Sequence, residues 1–477
     1  MLIAFASPLA AQDSHYETNQ YGADAALRGG TATAGVRDTS AVWYNPAALG
    51  FLDNPSISVN ANAYRIGESN LGDFAGTGED IKSTPLTTVP LLVSGLLMEE
   101  RLLPGHRFAF AIINRTVSQI SINSRLREIR DVLDRGNFTT AGNEDYAATL
   151  TADSDITEIW GAIAWGYKII PELSVGTSLF GALRQHSLGF TAVARAVNPN
   201  IGGAVATADL TEKFQYLNLR LLMRIGIAVD LGNVKLGLSF TTPSGSLFGE
   251  GGVLLQASIN NVDVNGDTFG DAGVMEDSQQ SLAATFESNM ALALGAQVQL
   301  NHLITLAFEV EWNAAAGRFS IMTPEARNLI VGSGFVFLTT DDFTPTYRYT
   351  TTFNFGFSMA FRFSTAVSLL FGFNTDLSYA PDDTSYGVDL IVTDYDMFSI
   401  TSGVVISEYG DKDYNKNRLI REVSAGISFT FGRGGGTQLV NFGAATEANY
   451  LIGLGATGPT SVGYFAFSLV LGFTQHF

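Results

Sequence analysis

The sequence predicts an all-β protein: a transmembrane antiparallel β-barrel of about 14 strands with an N-terminal plug inside its bore. Three observations support this prediction. The chain has 477 residues, of which 46% are hydrophobic and only 15% charged, whereas soluble domains carry about 25% charged residues. It contains no run of about 18 apolar residues, which a membrane-spanning helix would need. Instead, apolar and polar residues alternate over segments of about ten, enough for a tilted strand to cross a bilayer.

The composition limits the possible functions. The sequence contains 50 Gly, 33 Phe and 16 Tyr; glycine suits barrel bends, and aromatic residues suit the girdles at the membrane surfaces. It contains no cysteine, so disulfide and thiol chemistry are excluded. The net charge of −19 opposes nucleic-acid binding, which requires clustered Lys and Arg. Much of the acid lies in 376–413, interpreted as an outer loop that the carboxylates solubilise or link through divalent cations to lipid headgroups.

The chain divides into three parts. Residues 1–11, MLIAFASPLAA, have the apolar stretch and small residues that end a secretory signal peptide. Residues 12–54 are predicted to form the plug, and residues 55–477 the barrel. Within the plug, Gly29–Leu49 is rich in Gly and Ala and is too short and too interrupted for a core helix or a membrane span. Its small residues allow the backbone to approach the barrel wall closely.

The plug ends in the tripeptide Asn45-Pro46-Ala47, just before the first predicted strand. Proline fixes its own φ and disfavours the helical region for the residue before it. The Asn45 side chain can also hydrogen-bond to nearby backbone. The tripeptide therefore predicts a tight turn at the end of the plug.

The clearest strand is the last one. Its alternate residues form an apolar face, predicted to contact lipid: Gly463, Phe465, Phe467, Leu469, Leu471, Phe473, Gln475 and Phe477. The opposite face, which begins at Tyr464 and ends at His476, is smaller and more polar and is predicted to face the bore. The chain ends on Phe477, and a terminal aromatic residue on such a strand resembles the signal that the barrel-assembly machinery recognises.

The same alternation recurs along the chain. In several strands the predicted inner face carries a glycine, and these are Gly226, Gly295, Gly356, Gly426 and Gly472. Strands are predicted at 56–66, 86–98, 106–118, 155–168, 173–189, 213–231, 234–243, 281–299, 302–313, 347–362, 364–376, 418–432, 437–446 and 461–477. Short turns alternate with long loops, which are predicted at 119–154, 244–280, 314–346 and 377–417. This alternation is typical of outer-membrane barrels and places both termini on the periplasmic side.

The plug motif followed by an exported barrel ending in Phe477 resembles the FadL/TodX family of outer-membrane transporters of long-chain fatty acids and aromatic hydrocarbons. The resemblance implies a location in the outer membrane, contact with its lipid and a hydrophobic small-molecule ligand. It also implies that the N-terminal plug is a hatch, whose motif would consist of Asp38, Ser40, Asn45, Pro46 and Ala47. The family releases ligand sideways through a gap at its third strand. Here that strand would be 106–118, which follows Gly105 and contains no glycine or proline.

The same architecture also resembles PorV-like barrels, which act as partners or shuttles in type IX secretion. These barrels likewise carry Asn-Pro-Ala before the first strand. Under this alternative the loops would bind other envelope proteins and nothing would pass through the bore. The motif alone does not separate the two families.

Two groups of residues are candidate ligand contacts. Arg220 and Arg224 are predicted to project from one strand to the same inner face, about 13 Å apart at the usual strand rise. There they would hold a ligand carboxylate or pair with acids such as Asp38, Glu287 or Glu309. A second candidate, an apolar landing site in the outer loop 244–280, consists of Leu247, Phe248, Leu254 and Leu255.

The sequence does not favour catalysis, a cofactor or a metal. Its five histidines have no nucleophile signal beside them. The run from Asp263 to Asp267 has the residue types of a calcium loop, but its glycine falls too early and no glutamate follows at the twelfth position. We therefore expect a protein that is not an enzyme.

Overall fold

The computed structural model describes residues 15, 19–97, 103–133, 143–198, 204–325, 344–380, 394–410 and 418–477. The predicted signal peptide, residues 1–11, lies outside the described residues. Among them, no helix has both the length and the apolar character needed to span a membrane.

Nineteen strands are described in these parts of the chain. In chain order they are β1 Ser56–Leu71, β2 Ile81–Ser83, β3 Leu86–Leu97, β4 His106–Arg130, β5 Glu144–Ile170, β6 Leu173–Asn198, β7 Ala204–Asp230, β8 Val234–Thr241, β9 Gly245–Val262, β10 Asp271–Ala283, β11 Ala291–Gln299, β12 Ile304–Asn313, β13 Ala316–Ser320, β14 Thr346–Tyr349, β15 Thr352–Arg362, β16 Val367–Asp376, β17 Tyr395–Gly410, β18 Arg418–Thr437 and β19 Pro459–His476. The helical elements among the described residues are short turns: Ala26–Arg28, Ala41–Tyr44, Pro46–Phe51, Phe442–Ala444 and Glu447–Asn449.

Seventeen of these strands close into one antiparallel barrel of 14 wall strands, as predicted, whereas β13 and β14 form a separate two-stranded sheet. Strand β8 pairs with residues 224–230 of β7, and β9 pairs with residues 207–221 of β7, so β8 and β9 form one interrupted wall strand. We call the end of the barrel that contains β8 lower and the end that contains β9 upper. Strands β11 and β10 form the next interrupted wall strand in the same way. The last strand closes the barrel on the first, in a register that runs from Ser56 opposite His476 to Leu71 opposite Val462.

The lower half of the barrel carries the apolar outer face of a membrane protein. Large apolar side chains on alternate positions point outward and are exposed, for example Ile163, Ile225, Phe355, Phe429 and Phe473. A closed antiparallel barrel with such a band is the outer-membrane architecture, because closure leaves no unpaired strand edge in lipid.

Strands β4 to β7 are 25, 27, 26 and 27 residues long, far more than the 9–11 residues or so that cross a bilayer. Their upper parts, with β9 and β10, form a sheet that we call the upper wall: residues 119–130, 144–157, 185–198, 204–216, 250–262 and 271–283. Its inner face packs on the segments 72–80 and 438–458, and this core includes Phe74, Tyr146, Phe190, Phe442 and Leu451.

Four predicted loops were wrong because they contain strands, and one of them, 314–346, contains β13. The predicted strand 281–299 is interrupted between β10 and β11. The predicted loop 244–280 forms the hairpin of β9 and β10, and much of the predicted loop 119–154 is strand. In the upper wall the apolar residues face inward, so the outward apolar alternation that marks lipid-facing strands is reversed. The predicted loop 377–417 contains β17, whose outward apolar residues, such as Ile400 and Ile406, lie between acidic flanks.

The predicted strand 437–446 is also wrong, because it forms irregular turns. Its apolar character has another cause, since Val440 and Phe442 are fully buried beneath the upper wall. The predicted number of strands was nevertheless right, since β17 takes the place of this segment in the barrel.

Candidate functional site in the barrel interior

Residues 19–54, which we call the N-terminal segment, contact the inner faces of strands all around the barrel. The turn Pro46–Phe51 lies against β4, β5, β6 and β7, and the turn Ala26–Arg28 lies against β15, β16, β17 and β18. Most of the segment is buried, including Tyr21, Leu27 and Trp43.

Ten glycines on ten wall strands make room for this segment, and we call them the glycine belt. They are Gly166, Gly176, Gly226, Gly237, Gly295, Gly356, Gly372, Gly403, Gly426 and Gly472. A Cβ added at any of them would come within 2.0–2.8 Å of an atom of the N-terminal segment. A Cβ at Gly176, for example, would lie 2.4 Å from the Pro46 carbonyl oxygen. The belt includes all five glycines that the sequence places on inner faces.

Wall side chains also hydrogen-bond to the backbone of the N-terminal segment. The Ser174 hydroxyl donates to the Ala47 carbonyl at 2.7 Å, and the Thr401 hydroxyl donates to the Leu27 carbonyl at 2.8 Å. On β12, between belt residues Gly295 and Gly356 in the register, the Glu309 carboxylate accepts the Ala32 and Thr33 N–H groups at 2.8 and 2.9 Å. Because polar backbone buried away from water must be paired, these bonds fix the position of the segment.

Asn45 occupies the centre of this arrangement. Its side-chain amide donates to the carbonyls of Thr33 and Ile227, at 2.9 and 3.0 Å, and its side-chain oxygen accepts the Ala47 N–H at 3.1 Å. Asn45 therefore joins two parts of the segment to strand β7. Pro46 begins the turn that follows, and its carbonyl lies against Gly166 and Gly176.

Asp38 and Ser40 act within the segment rather than on the wall. The Asp38 carboxylate accepts the Ser40 N–H at 2.8 Å and the Ala23 N–H at 3.2 Å, and it also accepts the Ser40 hydroxyl. Burial raises the pKa of Asp38 above its ordinary value, against the lowering effect of the hydrogen bonds from Ser40; the nearby Asp24 carboxylate also raises it. The arrangement holds the turn before Ala41–Tyr44 in one conformation.

Arg220 and Arg224 both point into the interior, as predicted, and they are buried. Arg220 pairs at 2.6 Å with Glu158, a wall acid on β5 that also pairs with Arg184 at 2.9 Å. Arg224 donates to the Trp43 carbonyl and, at 2.8 Å, to the Thr241 hydroxyl. We call Arg115, Arg184, Arg220 and Arg224, together with Glu158, the arginine cluster.

The predicted acid partners of these arginines were wrong. Asp38 bonds within the segment, Glu309 bonds to Ala32 and Thr33, and Glu287 is exposed. Glu158 takes their place, and sequence reasoning missed it. The available signal was an acidic residue on the inner face of a predicted strand, two positions before Trp160, where an unpaired charge would be costly.

Aromatic rings surround the arginine cluster. The Arg224 and Arg115 guanidinium carbons lie 4.4 and 5.2 Å from the centroid of the Trp43 ring. Arg184 and Arg220 lie 4.3 and 4.9 Å from the Phe286 centroid. Together these groups line a cavity of about 50 Å³, which is closed at one side by Trp43 of the N-terminal segment. The cavity thus combines cations with apolar rings, which suits an amphiphilic molecule.

The predicted apolar landing site does not lie in an outer loop, because all four residues belong to β9. Leu247 and Phe248 are exposed beside the interruption between β8 and β9, whereas Leu255 is buried in the core of the upper wall and Leu254 is half-buried. The alternation of the strand separates them, so the four side chains do not form one surface.

Phe477 is exposed, and its N–H donates to the Pro55 carbonyl at 2.9 Å, at the junction between the last and first strands. Its role in barrel assembly remains a prediction. In the acidic run after Asp263, the Asp263 carboxylate accepts the Gly266 and Thr268 N–H groups, each at 2.7 Å. No group of three or more potential metal-ligating side chains occurs among the described residues.

The fold and its interior define a class: antiparallel outer-membrane barrels with an N-terminal segment in contact with the inner wall. No family model and no curated protein matches the sequence. Solved structures match it over nearly its whole length. A FadL homologue from Pseudomonas aeruginosa has a TM-score of 0.58 at 12% identity, covering 97% of this chain and 99% of its own.

Two hydrocarbon transporters match with the same coverage of 97% and 99%. The toluene transporter TodX from Pseudomonas putida has a TM-score of 0.55 at 13% identity, and the toluene transporter TbuX from Ralstonia pickettii has a TM-score of 0.53 at 14% identity. The predicted resemblance to the FadL/TodX family is thereby confirmed at the level of the fold.

Proposed function

We propose that this protein is an outer-membrane channel for the uptake of hydrophobic small molecules, with the N-terminal segment as its hatch. The observation that carries the proposal is the cavity where the arginine cluster, Trp160 and Phe286 meet Trp43 of the segment. The fold shared with a FadL homologue and with toluene transporters agrees with this function.

The hatch has to move for a ligand to bind. The cavity measures about 50 Å³, whereas pockets that enclose small ligands typically measure about 300–1,000 Å³. His15 and Trp43 line the cavity from the part of the chain that precedes the barrel strands. The segment is held by hydrogen bonds, by close backbone contacts and by an apolar cluster with the wall that includes Trp43, Leu49 and Phe180, so its displacement would have to separate this cluster.

The ligand that fits this site best is an amphiphile with a carboxylate, such as a long-chain fatty acid. Among the residues lining the cavity, four arginines outnumber the two carboxylates, Glu158 and Glu311. A buried excess of positive charge favours an anion, and guanidinium groups bind carboxylates with paired hydrogen bonds. The hydrocarbon tail would contact the rings of Trp43, Trp160 and Phe286.

The exit for this ligand would lie between β3 and β4. Their registered pairs end at Leu92 and Ile113, although β4 continues to Arg130. The register of β4 with β5 shifts between Asn114 and Thr116, which bends the strand without glycine or proline. A second cavity, of about 70 Å³, reaches this place and is lined by Pro85 and Thr116.

The test compares oleate with oleyl alcohol, which has the same chain and no charge. Binding to the purified protein in detergent is followed by the fluorescence of Trp43 and Trp160. We expect oleate to bind about tenfold more tightly, since one charged hydrogen-bonded contact contributes about 1.5–3 kcal/mol. Arg220→Gln should remove most of this preference, and Glu158→Gln should increase it.

The double variant Arg220→Gln with Glu158→Gln restores the balance of charge and controls for destabilisation of the wall. If the natural sequence bound both ligands with equal affinity, the proposed carboxylate contact would be refuted, but the proposal of a channel would stand. If neither ligand binds and other envelope proteins co-purify after gentle extraction, the channel itself is refuted in favour of a partner-binding barrel.

A further inference from the structure

The outer surface of the upper wall contains a groove that the proposed transport does not use. Its volume is about 890 Å³, and it crosses β4, β5, β6, β7 and β9. The exposed residues that line it belong to the alternate set that points away from the bore. On β5, for example, Asp153 and Asp155 lie in the groove and are exposed, while Ala152 and Ile156 on either side of them are buried on the inner side. The groove therefore opens to the outside of the barrel.

The lining of the groove combines apolar residues such as Leu254 with hydrogen-bonding and charged side chains. The Ser121 hydroxyl donates to the Asp153 carboxylate at 2.7 Å, and the Gln119 amide donates to Asp155 at 3.3 Å. The stem of Lys213 lies across Gly189, where an added Cβ would come within 2.9 Å of the Lys213 Cγ. The lining has both signs of charge, because Lys82 and Lys213 match the two aspartates in number.

The groove lies directly above the lipid-facing band of the barrel. On β5 the outward face continues from Asp155 through Thr157 to Ile159 and Ile163, which are 41% and 66% exposed. On β7 it continues from Gln215 to Leu217 and Leu221, which are also exposed. The surface thus changes from polar to apolar within four residues on β5 and two on β7, as expected where the hydrocarbon of the outer leaflet ends and its headgroups begin.

We propose that this groove binds the sugar headgroup of a glycolipid of the outer leaflet. Carboxylates, amides, hydroxyls and ammonium groups arrayed on a concave sheet can donate to and accept from sugar hydroxyls. A lining balanced in charge favours a polar, hydroxyl-rich group over a simple anion. The acyl chains of such a lipid would lie on the apolar band immediately below, so that one molecule would contact both surfaces. This site is independent of ligand passage through the bore.

The test measures binding of a diacyl glycolipid whose headgroup is an uncharged disaccharide. The full-length protein is delipidated in detergent, and the dissociation constant is measured by thermophoresis. We expect Asp153→Ala and Lys213→Ala each to weaken binding about tenfold, through the loss of charged hydrogen bonds. Both residues are exposed, and heat-modified mobility on a gel reports whether the barrel has folded.

Glu276→Ala is the matched control, because Glu276 is an exposed acid on the same outer surface outside the groove. We expect its effect to stay within roughly twofold. Unchanged affinity in both groove variants overturns the proposal. Equal binding of the free disaccharide without acyl chains would overturn the membrane source of the ligand, and equal competition by phosphatidylglycerol would overturn the sugar specificity.

Discussion

The lower and upper parts of the barrel wall share strands β4 to β7 but have different interiors. At membrane level the inner face combines glycines and hydrogen-bonding side chains with apolar residues such as Trp160 and Phe180, and it contacts the N-terminal segment. In the upper wall the inner face is apolar and packs on the segments 72–80 and 438–458. The first interior is held by backbone fit, by polar bonds and by an apolar cluster that joins Trp43 and Leu49 of the segment to Phe180 of the wall, and the second by buried apolar side chains. Release of the first occupant would therefore break polar bonds and also expose this cluster to water.

The largest expected effect is at the glycine belt. A Cβ at Gly226 would lie 2.0 Å from the Asn45 side-chain oxygen and 3.0 Å from the Ala47 nitrogen, so Gly226→Val should displace the N-terminal segment while the lipid-facing surface is unchanged. We expect a large rise in ion conductance across planar bilayers. Gly161→Val on β5 is the control, because no atom lies within 4 Å of its added Cβ. Conductance that rises equally in both variants would contradict the proposal that contact between Gly226 and the N-terminal segment keeps the bore closed.

The upper wall should respond in the opposite way. Phe442 is fully buried in the core beneath it, and Phe442→Ala should lower stability by about 3–5 kcal/mol. The midpoint of denaturant unfolding should fall, yet hydrogen exchange of residues 20–50 in the folded protein should not change. Faster exchange of residues 20–50 would show that the two interiors are one cooperative unit.

Asn45→Ala sharpens the comparison within the lower half. It removes three hydrogen bonds and leaves the Thr33 and Ile227 carbonyls without these donors. Each buried group left unpaired costs about 1–3 kcal/mol, so hydrogen exchange at residues 31–50 should accelerate by at least tenfold while global stability changes little. The exposed Asn123 on β4 supplies the control, Asn123→Ala, which should leave exchange unaltered.

The smallest expected effect concerns pH. Burial raises the pKa of Asp38 while the N-terminal segment is bound to the wall, so the bound segment retains a proton that a released segment would lose. Binding of the segment is therefore strongest below the ordinary aspartate pKa of 3.8. It weakens as pH rises through the raised pKa. Protease protection of residues 20–50 should fall across this window. Asp38→Asn should flatten the dependence, and a slope that persists in this variant would assign the titration to another group.

The fold could be predicted in detail where lipid meets the wall. Outward apolar alternation identified strands such as β19 and β7 because the lipid face imposes one simple rule on every second residue. Where water replaces lipid, as in β9 and β10, the rule reverses and the strands were interpreted as loop. The missed strand β17 shows the same limit, since its acidic flanks at Asp396 and Glu408 outweighed its short apolar face.

The candidate site was predictable only in part. Inward-facing Arg220 and Arg224 follow from strand parity, but their partners do not. Which acid reaches Arg220 depends on the register between β5, β6 and β7, which places Glu158 opposite Arg184 and Arg184 opposite Asn218. Such registers are set by pairing between distant segments, so the predicted acids were the wrong ones.

The sequence by itself determined a closed barrel of 14 strands, its lipid face and an N-terminal segment of small residues, because period-two patterning and composition are local properties of the chain. Only the tertiary structure decided that ten inner glycines align around the N-terminal segment and that Glu158 pairs with two arginines. It also decided that the upper wall extends beyond the lipid-facing band and has a groove on its outer surface. These features arise from contacts between strands far apart in sequence, whose register and curvature no local pattern records.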